Sequence, residues 1–325
     1  MIVEQQLQVF SGFQACIAAA LQGGCRAYFA SPSPLHAQLL NEGARRFPEQ
    51  HGSFVQASHP VDALSMALGA SRMGVLPLVS GNFPDFLAMQ EVLQSLFKQE
   101  CPCVLALLLY QEPVWPEASP LAYPYPCFLD PWPACGLPLI SLMPSSLAQL
   151  YQLTWQACQL ALSTSQPVAV LLDPLLLAVT GDVQVLPPEP LALEPGFGHI
   201  WLERLDEVQQ RLQLQAGRWL RQWIGASEPE YFLLATGLLG GWLLQMEWPR
   251  GGVLVPESLF PLALEALPPQ PVYVVEFAPS ALSRRLVQRF GPGIQALELP
   301  WERALPAGLK NTICRALEAK GHVFD

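Results

Sequence analysis

The sequence predicts an α/β protein of two doubly wound, three-layer domains, on three observations. Short continuous apolar runs of strand length alternate with segments whose apolar residues recur at helical spacing. That alternation runs over residues 27–172 and begins afresh at residue 231. Between the two lies the proline-rich run 186–195 (LPPEPLALEP), which reads as an extended, semi-rigid linker. The expected organisation is a first α/β domain over 1–185, a linker and connecting helix over 186–228, and a second α/β domain over 229–325.

The elements follow in order. Residues 12–20 read as a small-residue helix, and 27–30 (AYFA) as the first core strand, ending in Ser31-Pro32-Ser33-Pro34 before a helix from about residue 35. Residues 54–91 read as strand, helix, strand, loop, helix. In the helix 61–73, Val61, Leu64 and Leu68 share one side and Met66, Ala70 and Met73 another, so burial is expected on most faces. Ala63, Ala67, Gly69, Ala70 and Gly74 leave room for close approach to its backbone. The strand 75–79 runs into the turn cluster Ser80-Gly81-Asn82-Phe83-Pro84-Asp85, with Asp85 expected to cap the helix from Phe86.

A strand over 103–110 is followed by the loop 111–137, rich in proline and aromatics (Trp115, Tyr123, Tyr125, Trp132) and without arginine or lysine. Such a loop suits a subunit contact or a lid. Strand 137–142, helix 145–163 and strand 167–172 complete the first domain. A helix over 204–224 carries one apolar stripe (Leu205, Val208, Leu212, Trp219, Trp223). Then come strand 231–236, helix 238–246, strand 252–255, helix 259–267, strand 272–276, helix 281–290, strand 294–297 and a terminal helix to Lys320.

Composition excludes several classes. Charged residues are 14% and apolar ones 51%, and mean hydropathy is +0.27, so burial against other subunits is expected. The longest apolar segments, 167–180 and 231–246, are short for a membrane span; Asp173-Pro174 and several glycines interrupt them, and they read as buried strands with their connections. The first residues, MIVEQQLQVF, lack a signal-peptide layout, which places the chain in the cytoplasm. A net charge of −10 argues against nucleic acid and acidic membranes. Only three lysines occur (Lys98, Lys310, Lys320), thin equipment for gripping a diphosphate. Eight cysteines, including Cys101, Cys103, Cys127 and Cys135, form no CxxC, so neither zinc nor an iron–sulfur cluster is expected in this chain. They read as small buried apolar residues.

The chemistry-bearing position is the carboxyl end of the strand before Ser80, where open α/β sheets bind ligands. The run 236–241 (TGLLGG) follows a strand and opens a helix, but its apolar character and its spacing favour helix packing over phosphate binding. No Ser-His-Asp set, HExxH or supported carboxylate dyad is visible.

Residues 55–71 (VQASHPVDALSMALGAS) and 80–91 (SGNFPDFLAMQE) resemble the α subunit of 2-oxoacid:ferredoxin oxidoreductases, which reads approximately VQMEDEIAAINMAIGAS and TSGPGFSLMQE there. Residues 27–35 (AYFASPSPL) are similar to GYPITPSTE, 167–177 (PVAVLLDPLLL) to PVIVLSD, and Glu276 stands where the family has VVEMN. The resemblance implies a thiamine-diphosphate-binding (pyrimidine) fold followed by a transketolase C-terminal-like fold. It implies the pyrimidine side of a thiamine diphosphate site shared with a β subunit. That partner would carry the diphosphate, magnesium and iron–sulfur sites, with γ and δ subunits beyond it, and a single chain would be inactive. Substrates of this class are pyruvate and 2-oxoglutarate.

By the same resemblance Ser31 stands for a substrate-facing threonine, and Asn82 and Asp85 lie in the cofactor loop, which keeps only Gly81. The family's essential acid is the second glutamate of MEDE, and here that position is Pro60. His59, Asp62 and His36 are the candidates to replace it. Against them stand plainer roles: a first-turn carboxylate for Asp62, and a solvated or hydrogen-bonded ring for each histidine. Three readings stay open: a diverged α subunit, a catalytically silent homologue (a pseudoenzyme) acting as a structural or regulatory partner in a hetero-oligomer, and a small-molecule-binding module lined by Trp115 and Trp132.

Overall fold

The computed structural model describes residues 7–33, 36–109, 139–185, 220–224, 228–248, 250–256, 258–260, 267–277, 283, 286–287, 290–291, 293–299 and 306–322. The chain enters through β1 (Leu7–Ser11), and Ser11 starts α1 (Gly12–Gln22) with a reciprocal cap: its Oγ accepts from the Gln14 N–H at 3.3 Å, and Gln14 Oε1 accepts from the Ser11 N–H at 3.0 Å. Small residues let α1 pack closely. A Cβ on Gly12 would run into the backbone of Leu176 and Leu177.

There follow β2 (Ala27–Ala30), α2 (Ala37–Glu49), β3 (Ser53–Gln56), α3 (Pro60–Arg72), β4 (Pro77–Asn82), α4 (Phe83–Ala88), α5 (Gln90–Lys98), β5 (Cys103–Leu108), β6 (Ile140–Leu142), α6 (Leu147–Thr164), β7 (Pro167–Leu172), α7 (Pro174–Ala178) and β8 (Thr180–Gln184). The second half supplies β9 (Leu220–Ile224), β10 (Tyr231–Leu234), α8 (Gly237–Leu244), β11 (Gly251–Pro256), β12 (Ser258–Phe260), β13 (Val272–Phe277), β14 (Ile294–Leu299) and α9 (Pro306–Glu318).

The first sheet has the order β12-β6-β7-β5-β4-β2-β3, and all its pairs are parallel except β12 with β6. Its strands β5 and β7 are buried on both faces, the continuous apolar pattern of a covered parallel sheet. One face packs on α1, α2 and α6, the other on α3, α4 and α5. The second sheet has the order β14-β13-β10-β11-β9, parallel apart from β9. One apolar cluster draws Leu105, Leu107 and Leu171 from the first sheet and Phe232, Leu234 and Val274 from the second.

Several expectations are corrected. The predicted helix 204–224 ends as a strand: Leu220–Ile224 is β9, antiparallel to β11, because an open sheet edge decides the conformation of five residues more strongly than a helical stripe does. The predicted helix 259–267 begins as strand β12, paired with β6. The loop 80–85 is instead the end of β4 and the first turn of α4. The helix 61–73 is buried on one face only: Met66 is 43% and Met73 83% exposed, and a Cβ on Gly69 would meet nothing within 4 Å. The antiparallel ribbon of β1 and β8 was not foreseen. The aromatic loop 111–137, the linker 186–195 and residues 204–219 lie outside the described residues, as does most of 281–290.

Candidate functional site

After β2 the chain adds β3 on one side and β4 on the other, so strand order reverses between β2 and β4. The order β3-β2-β4-β5-β7 is that of flavodoxin-like sheets, whose ligands bind outside the carboxyl ends of the strands at this point. The Tyr28 and Ser80 hydroxyls share a 2.7 Å hydrogen bond between β2 and β4, which pins the two strands just below that crevice. Tyr28 does not stand out in the sequence, since it lies inside an apolar run, while Ser80 reads only as the start of the turn that follows β4.

Ser31 leaves β2 buried, at 4% exposure. His36, fully buried, stands immediately before α2 with Nε2 3.2 Å from the Ser31 carbonyl oxygen. A carbonyl oxygen can only accept, so Nε2 carries the proton and Nδ1 is left as an acceptor. Nδ1 has no hydrogen-bond partner. Burial holds the imidazole below its ordinary pKa, opposed by the Ser31 carbonyl and the negative charge of Asp85.

On the other side of the crevice, Asn82 rather than Asp85 caps α4. Asn82 Oδ1 accepts from the Asp85 N–H at 3.0 Å, and Asp85 Oδ2 accepts from the Asn82 N–H at 2.9 Å. The signal was legible: an Asx residue with a carboxylate three places on, and proline in the first turn. Gly81 lets this turn fold back closely, for a Cβ there would stand 3.1 Å from Asp85 Cβ and from Met89 Cε.

Ser31, His36, Asn82 and Asp85 thus flank the switch point. His59, Pro60 and Asp62 lie instead after β3. His59 Nδ1 accepts from the Val61 N–H at 3.3 Å, Pro60 is the first residue of α3, and Asp62 is exposed in its first turn.

Elsewhere, Gly240 and Gly241 serve packing. A Cβ on Gly240 would come within 2.6 Å of Val255 Cγ1, and one on Gly241 would run into the Ser145 carbonyl oxygen. Glu276 Oε1 accepts from the Ser283 N–H at 3.2 Å. Cys16, Cys25, Cys101, Cys103, Cys158 and Cys314 are free thiols. Burial pushes Cys16 up to about 12, which makes it inert at neutral pH. Cys127 and Cys135 lie outside the described residues. Among the described residues no group of three or more His, Cys, Asp or Glu side chains is placed to hold a metal ion, and no helix is long and apolar enough to cross a membrane.

Residues 18–196, which include all six parallel strands of the first sheet, match the pyruvate flavodoxin/ferredoxin oxidoreductase, thiamine diphosphate-binding family. The chain belongs to that family. It is 29% identical over 169 residues to the ketoisovalerate oxidoreductase subunit VorB of Methanothermobacter thermautotrophicus, covering 52% of this chain and 48% of that protein. Over 169 residues it is 26% identical to the 2-oxoglutarate synthase subunit KorA of Methanocaldococcus jannaschii, covering 52% and 46%. The chain spans about half the length of the curated relatives it matches. Its fold is similar to that of 2-oxoglutarate:ferredoxin oxidoreductase from Magnetococcus marinus, with a TM-score of 0.68 at 17% identity over 96% of this chain and 65% of that one. Transketolase from Campylobacter jejuni aligns with a TM-score of 0.58 at 14% identity, over 95% of this chain and 47% of that one. These likenesses bear out the thiamine-diphosphate-binding fold followed by a transketolase C-terminal-like fold.

Proposed function

We propose that this chain is a diverged α subunit of a 2-oxoacid:acceptor oxidoreductase, contributing the pyrimidine side of a thiamine diphosphate site completed by a β subunit. The family match over residues 18–196 carries this reading, because the matched segment holds the switch point and its flanking polar groups. The domain division at 1–185 and 229–325 belongs to the same reading.

The group fits the crevice in one respect: the orphaned Nδ1 of His36 is a buried acceptor in want of a donor, and an aminopyrimidine carries one. Bound, the cofactor supplies the carbon nucleophile and electron sink that decarboxylation of a 2-oxoacid needs. Ser31 would orient the substrate, and Asn82 and Asp85 would fix the β4–α4 turn that stands beside the ring. With three lysines in the chain, the diphosphate and its magnesium fall to the partner, along with the iron–sulfur cluster. Met66 on the exposed side of α3 and Met73 just past its end supply apolar surface for that partner to bury.

One observation favours a second reading. Pro60 heads α3 where the family places the acid that activates the aminopyrimidine, and a proline side chain neither donates nor accepts. A silent subunit, structural or regulatory, would keep the fold and lack turnover. Purification of the native complex through this chain, followed by a 2-oxoacid-dependent dye-reduction assay, separates the two. Activity with an iron–sulfur partner establishes a working α subunit; a partner without activity establishes the silent one; recovery of no partner rejects both.

A further inference from the structure

The kind of group that meets the crevice is narrowed by one side chain. His36 is the fully buried residue that links the end of β2 to α2, and its proton is committed to the Ser31 carbonyl through Nε2. Nδ1 therefore offers a bare lone pair, and it is one of few buried side-chain polar atoms among the described residues without a partner. Buried polar atoms are nearly always paired, and the exceptions mark places that a water, a ligand or a function completes. The 3.2 Å bond to the Ser31 carbonyl holds the ring at the carboxyl end of β2, beside the switch point between β2 and β4.

We propose that His36 is a ligand-positioning residue whose Nδ1 accepts a hydrogen bond from an N–H donor of the molecule bound at the β2–β4 crevice, the exocyclic amino group of an aminopyrimidine. The proposal rests on the reading that thiamine diphosphate binds there. It assigns His36 a role separate from the acid missing at position 60. An unprotonated Nδ1 holds an amino group and donates nothing to a ring nitrogen, so the histidine fixes the ring without activating it.

Two substitutions divide the imidazole into its halves. His36→Gln keeps an N–H donor in reach of the Ser31 carbonyl and removes the acceptor at Nδ1. His36→Asn keeps an acceptor close to the Nδ1 position and removes the donor. The complex, purified with its partner and freed of cofactor, is titrated calorimetrically with thiamine diphosphate and with the analogue in which a carbonyl oxygen replaces the amino group. The expected result is that H36Q weakens thiamine diphosphate by about ten- to a hundredfold, the usual penalty for leaving a buried donor unpaired. H36N should weaken it distinctly less, wild type should prefer the amino form, and H36Q should lose that preference. Undiminished binding by H36Q, or equal binding of the two cofactors by wild type, overturns the proposal and leaves a ring completed by an ordered water only. The analogue comparison requires no variant, so it decides the matter even if H36Q does not fold. Failure of wild type to bind thiamine diphosphate beside its partner overturns the underlying reading as well.

Discussion

His59 caps α3 and Pro60 fills its first position, where a missing N–H leaves no bond unmade. A carboxylate is also welcome in a first helical turn, so Pro60→Glu is expected to fold normally. In the native complex it should raise 2-oxoacid-dependent dye reduction by about a hundredfold, the lower end of what a placed acid contributes. An unchanged rate in a complex that binds cofactor would put the activating acid elsewhere. His36 gives a second test at this scale. Its folded pKa lies below its unfolded value, so as pH falls below about 6.5 the unfolded chain takes up a proton that the native chain refuses. The stability tied to its neutral form is therefore present above that pH and is lost on acidification. Urea unfolding from pH 7.5 to 5.5 should show a steeper loss in wild type than in His36→Gln. Ser31, His36, Asn82 and Asp85 were named from the sequence, Tyr28 was not, and the pairings went unread. The mutual cap of Asn82 and Asp85 follows a legible spacing, an Asx residue with a carboxylate three places on, which reads from the sequence as a cap by Asp85 alone, whereas the bond from His36 to Ser31 spans a turn with no periodicity to reveal it.

Elements with a single apolar environment were the readable ones. The strands β2 and β7 match the predicted bounds because a strand covered on both faces must be apolar throughout. The strands β9 and β12 were missed because each exists by pairing with a distant strand, a cause that no local window contains. Glycine roles at this scale are testable in a matched pair. Gly241→Ala puts a methyl group against the Ser145 carbonyl, where α8 meets the end of β6, and should cost about 1–3 kcal/mol by overpacking. Gly69→Ala, inside α3 with open space around it, should instead stabilise by about 0.5–1 kcal/mol. Chemical denaturation of the two variants beside wild type gives both values, and the opposite order would mean that the packing of α8 has been misread.

At the scale of the molecule, the low charge and high apolar content find a physical outlet in surfaces the isolated chain leaves open. Met66 is exposed on α3, Met73 just past its end, and Leu7 and Val9 on β1. Substituting glutamate for both methionines should leave the stability of the isolated chain within about 1 kcal/mol, since Met73 is almost fully exposed and Met66 only partly covered, yet abolish recovery of the partner subunit. Retained association would move the interface off α3. The central claim is that the β2–β4 crevice works as half of a thiamine diphosphate site. Its most direct test is the thiamine content of the complex isolated natively through this chain. A stoichiometric amount of thiamine diphosphate, lost when the partner is removed, is the predicted result. A complex that assembles fully and contains none would contradict the account.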